Sequence, residues 1–69
     1  MHWHLVESSN INKLSYDMKT QTLSINFKPD QTYEYIEVPY YVWEGLVSSE
    51  SKGKFFHMFI KGKFDYKKV

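Results

Sequence analysis

The chain has 69 residues and a net charge of +1, from nine lysines and no arginine against eight acidic residues. So short a chain holds one hydrophobic core and therefore one domain, 1–69. With no cysteine, disulfides, zinc–thiolate sites and thiol nucleophiles are excluded, and the aromatic residues, 19% of the chain, are expected to supply the burial that staples give other small domains.

Residues 1–7, Met1-His2-Trp3-His4-Leu5-Val6-Glu7, show neither a basic start nor a long apolar run, so they read as a mobile segment rather than a secretory signal. No stretch approaches the roughly 20 apolar residues of a membrane span, and a cytoplasmic protein without membrane contact is expected. Three strand-like segments follow, Ile11 to Tyr16, Thr22 to Phe27 and Thr32 to Val38, each rich in β-branched and aromatic residues. The connections, residues 17–21 and 28–31, are of hairpin length. Alternation places Leu14, Tyr16, Leu23, Ile25, Phe27, Tyr33 and Tyr35 on one apolar face. Ser15, Thr22, Ser24, Asn26, Thr32 and Glu34 fall on the other, which is expected to be wet. Ile36 and Val38 are out of phase with the two tyrosines, which calls for a bulge or a reversed face in the third strand.

Val38-Pro39 changes the period, because proline suits a helix start and cannot continue a central strand. A helix is expected from there, with Val42, Trp43, Leu46 and Val47 on its core side. Ser51 can cap a second helix with Phe55, Phe56, Phe59 and Ile60 as its core face, and Gly62 is a natural stop. Residues 63–67 alternate polar and aromatic, fitting either a short C-terminal strand or an extended tail. The expected fold is α+β: a three-stranded antiparallel β-meander followed by two short helices packed on one face.

Ser8-Ser9-x-Ile11, Tyr16-Asp17, Thr22-Leu23, Phe27, Tyr33-x-Tyr35, Val38-Pro39, Leu46 and Ser51-x-Gly53-x-Phe55-Phe56 follow one another in an order that resembles the KTSC domain family. That family is named for a domain at the C-terminus of some lysyl-tRNA synthetases and also occurs as small stand-alone bacterial and phage-associated proteins. The resemblance runs from about Ser8 to Tyr66, and Tyr33-x-Tyr35 followed by Val38-Pro39 is its most specific piece. It implies RNA or nucleic-acid binding and brings no catalytic residues. Ser15, Gln31 and Gly62 depart from the family pattern.

Charge is distributed unevenly along the chain. Residues 1–50 hold three lysines against seven acids, a net −4, whereas residues 51–69 hold six lysines against Asp65 alone, a net +5. A lysine stripe with interleaved rings can neutralise phosphates while the rings stack on unpaired bases. Lys52, Lys54, Lys61, Lys63 and Lys67 are the candidate contacts, with Tyr41 or Tyr66 stacking. Without arginine to grip a guanine edge, binding is expected to be weak, salt-sensitive and low in specificity, to RNA or single strands. The alternative is a protein-interaction or accessory domain docking through an aromatic patch or a sheet edge. An enzyme is not expected, nor a cofactor. His2, His4 and His57 could at most form an imidazole-only metal site, lacking a carboxylate at a suitable spacing, and no acid partners His57 for a serine nucleophile.

Overall fold

The computed structural model describes residues 2–69, which form an α+β domain with one five-stranded antiparallel sheet. The strands are β1 (His4–Leu5), β2 (Ile11–Asp17), β3 (Thr22–Phe27), β4 (Gln31–Tyr35) and β5 (Tyr66–Lys68), adjacent in chain order. Helix α1 (Tyr40–Ser48) lies between β4 and helix α2 (Lys52–Phe55), which continues as a wider π-helical turn, Phe56–Ile60.

The predicted meander is the centre of this sheet, and a strand is added at each margin. His4 and Leu5, in the segment read as mobile, pair with Leu14 and Lys13; Met1 lies outside the described residues. Tyr66, Lys67 and Lys68 pair with Tyr35, Glu34 and Tyr33, so the C-terminal alternation resolves as a strand. Hydrogen bonds from Ile36 N–H to the Asp65 carbonyl (3.0 Å) and from Val69 N–H to the Thr32 carbonyl (2.9 Å) close both ends of this last ladder.

The expected bulge lies in β2 rather than in the third strand of the meander. Register shifts between Ile11, opposite Phe27, and Lys13, opposite Asn26. The extra residue turns both Ile11 and Leu14, three positions apart, into the core, where each is fully buried. The phase change after Tyr35 has another cause, because the strand ends there and the chain turns at Glu37, whose φ is 56°. Ile36 is left exposed and Val38 enters the core.

The face expected to be wet is a second correction. Ser15, Ser24 and Asn26 are buried to 3% exposure or less. Ser15 and Ser24 are short side chains on the two central strands, directly opposite each other, with longer neighbours on either side. Asn26 is the hub of a polar network that fixes the β3–β4 hairpin. Its Nδ2 donates to Asp30 Oδ1 (3.1 Å) and Thr32 Oγ1 (2.9 Å), and its Oδ1 accepts from Asn12 Nδ2 (2.9 Å). This satisfies a buried amide that would otherwise be costly.

The helices follow the sequence expectation at their starts. Pro39 precedes α1, and the Ser51 hydroxyl accepts from Lys54 N–H at 3.3 Å. Trp43 lies almost parallel to Tyr16, ring centroids 5.5 Å apart, and the Tyr16 hydroxyl donates to the Val38 carbonyl. Gly45 lets the two helices touch: a Cβ there would lie 2.6 Å from the Phe55 ring. The π-helical turn, closed by Lys61 N–H to the Phe56 carbonyl at 2.8 Å, points Phe56 and Ile60 inward. Phe59, expected in the core, is instead half-exposed and packs on Phe55, at 4.7 Å between centroids, because the wider turn moves it off the inward face. Gly62, at φ +78°, ends this segment in the left-handed region.

Candidate functional site

The second helix covers only part of the inner sheet face, and the uncovered part is a groove of about 630 Å³. Its floor is aromatic: Phe27 from β3, Tyr33 and Tyr35 from β4, Phe56 from the π-helical turn and Tyr66 from β5. Strand pairing explains the arrangement, because Tyr35 opposes Tyr66, and Tyr33 and Tyr35 share one face. Tyr66 lies parallel to Tyr33, centroids 5.3 Å apart and planes 5° from parallel, and remains 58% exposed. Phe56 meets Phe27 at 5.2 Å and Tyr35 at 5.6 Å, both edge-to-face, the geometry favoured by ring quadrupoles. Lys28 comes to the rim from the β3–β4 hairpin, and Lys61 and His57 from the helical side. Among the described residues, no acidic side chain lines the groove.

Lys61 and Tyr66 are thus the sequence-predicted residues that the structure brings together. The others are spread over the surface. Lys54 and Lys52 line a second groove beside Ser51 and Glu50, and Lys52 Nζ donates to the Ser49 carbonyl at 2.6 Å. Lys63 lines a depression with Asp65 that adjoins the aromatic groove at Gly62 and Tyr66. Lys67 is on the outer sheet face, its Nζ 3.5 Å from Glu34 Oε1, an exposed pair of small energetic weight. Tyr41, 73% exposed, stands on α1. Lys28 escapes a count by segment because it belongs to the acidic part of the chain, yet Phe27-Lys28 sits at a hairpin end, where a strand delivers a ring and a cation to one edge. His4 packs edge-on against Trp43, at 5.3 Å. Among the described residues, no three potential ligands from His, Cys, Asp and Glu stand together.

Comparison with known proteins places this architecture. The model of the KTSC domain matches residues 7–64. The chain belongs to the KTSC domain family. A crystal structure of a KTSC domain protein from Yersinia pestis superposes with a TM-score of 0.95 at 38% identity, covering 99% of this chain and 96% of that one. A lysine–tRNA ligase of Nostoc punctiforme is 48% identical over 63 residues, and one of Trichormus variabilis 46%. Those matches cover 91% of this chain but 11% of each ligase, so this KTSC domain spans about a ninth of their length. A protein of Tsukamurella paurometabola is 41% identical over 59 residues, 88% of its own length.

In this KTSC domain, burial, reinforced by the neighbouring phenols of Tyr66 and Tyr33, pushes the Tyr35 hydroxyl up to about 12 from 10.0. Tyr35 is 4% exposed. Its folded-state pKa lies above the unfolded value, so its contribution to stability is complete below about pH 10 and is lost as pH rises towards 12. Alkaline titration followed by near-UV circular dichroism should therefore show loss of structure beginning above about pH 10, and Tyr35→Phe should displace that loss to higher pH. An unchanged alkaline midpoint would show that another group governs it. No helix among the described residues is long and apolar enough to cross a membrane.

Proposed function

We propose that this domain is a non-enzymatic module of the cytoplasm that binds single-stranded nucleic acid in the aromatic groove, weakly and with little sequence preference. The observation that carries this reading is the half-exposed Tyr66 stacked on Tyr33 beside Lys28 and Lys61, in a groove whose lining bears no acid among the described residues. An exposed ring adds roughly 1–3 kcal/mol for each base stacked on it, whatever the base. Lysines attract phosphate as point charges and do not read base edges bidentately. The relatives named as lysine–tRNA ligases point to the same chemistry, since their name couples them to an RNA.

Tyr66→Ala should weaken binding of a single-stranded oligonucleotide about 5- to 150-fold, the range that loss of one stacking ring implies, while Tyr41→Ala on α1 should leave it unchanged. Fluorescence anisotropy at low and at moderate salt checks both. No binding at low salt, or equal affinities of the Tyr66→Ala variant and the parent, would overturn the reading. One observation favours a second reading, a protein-docking surface on the helical layer: Tyr41, Met58 and Phe59 are 73%, 64% and 50% exposed there. Loss of a protein partner on Tyr41→Ala, with oligonucleotide binding absent throughout, would select it.

A further inference from the structure

Resting on the single-strand reading above, we infer that the binding surface is a track for several nucleotides rather than a pocket for one, running from Tyr66 past His57 and Asn10 to Lys54. The second groove, about 350 Å³, shares Asn10 and His57 with the aromatic groove, so the two depressions adjoin at these residues. They differ in chemistry. One is floored by rings, whereas the other is lined by serines, Gly53, Lys52 and Lys54. That division suits a polynucleotide, whose bases need flat apolar partners and whose phosphates need cations and polar donors.

The cations of the second groove are not equivalent. Lys52 is tied to the Ser49 carbonyl, while Lys54 is exposed and forms no ion pair among the described residues. Lys54 is therefore the cation available to a phosphate. Gly53 keeps the second groove open: a Cβ there would meet only Asn10 Nδ2, at 3.9 Å. Glu7 and Glu50 line the second groove as well, and their charge repels a polyanion, so the track ends there. The partner this fits is an unpaired stretch of about 4 nucleotides, the lower end of the range that small single-strand-binding folds occupy.

The test is a pair of amide nitrogen–proton NMR titrations of the intact protein, one with a uridine dinucleotide and one with a uridine octanucleotide. The octanucleotide should shift the resonances of Tyr33, Lys61 and Tyr66 together with those of Ser51 to Lys54, and the dinucleotide only the first group. Lys54→Gln, a change at an exposed position, should leave the dinucleotide affinity unaltered and reduce the salt dependence of octanucleotide binding by about 0.7 in the log–log slope. An octanucleotide that shifts only the aromatic groove, or a salt slope unchanged by Lys54→Gln, overturns the track and leaves the groove reading standing. Absence of shifts with both ligands overturns the track together with the function it rests on.

Discussion

Phe56→Ala should lower the unfolding free energy by about 3–5 kcal/mol, the cost of removing a buried ring that its surroundings cannot refill. Phe56 is 6% exposed and lies where sheet and helix meet, with Phe27 and Tyr35 edge-to-face on it and His57 at 5.5 Å. The Phe27 and Tyr35 rings are held by strand backbones and cannot slide into the void as flexible aliphatic chains do. For a chain of 69 residues the whole stability is on the order of 3–10 kcal/mol, so this one substitution should bring the domain close to its unfolding threshold. Urea unfolding followed by tryptophan fluorescence measures it, with Trp43, buried and stacked on Tyr16, as the reporter. A midpoint shift equivalent to less than about 1.5 kcal/mol would mean that the core relaxes around the cavity.

The second large effect is expected at Asn26. Asn26→Asp preserves shape and the acceptor that Asn12 uses, but it replaces the donor facing Asp30 and Thr32 with an anionic oxygen. A carboxylate would then stand about where Nδ2 now lies, 3.1 Å from Asp30 Oδ1, at a position 3% exposed. Two carboxylates at that separation cannot both ionise without penalty. The expected cost at neutral pH is about 2–4 kcal/mol. Its sign with pH follows from linkage: the introduced carboxyl titrates higher in the folded than in the unfolded chain, so stability recovers as pH falls through the carboxylate range. Denaturant midpoints at pH 7 and pH 4 should therefore converge on those of the parent protein at the lower pH. A cost independent of pH would assign the loss to the missing hydrogen bonds alone.

The central strands, the starts of both helices and the stop at Gly62 were legible because each depends on local rules: period-two alternation, a proline that ends a strand, a serine that caps, a glycine free to adopt φ +78°. Other features depended on partners distant in sequence. His4 and Leu5 become a strand only because Leu14 and Lys13 offer an edge, and nothing in a two-residue stretch signals that. The bulge at Asn12 and the π-helical turn each alter the count of residues per turn or per pleat by one, which changes the facing of Ile11 and Phe59 without changing composition. The candidate site suffered similarly. The excess of lysine after residue 50 is real in sequence, but strand alternation sends Lys67 to the outer face beside Glu34 while the hairpin brings Lys28 to the groove. Proximity along the chain was a poor guide to proximity of charge.

Tyr66 rides on β5, a strand of three residues at the margin of the sheet, held by β4 alone. Short marginal strands are among the first parts of a domain to fray. A ligand resting on that ring binds only the closed form and, by mass action, raises the free energy needed to open it. For the proposed ligand, occupancy and the closure of the sheet margin are thereby coupled, and the hydrogen-exchange rates of the Lys67 and Val69 amides, which face β4, become a direct gauge of how much of the protein is loaded.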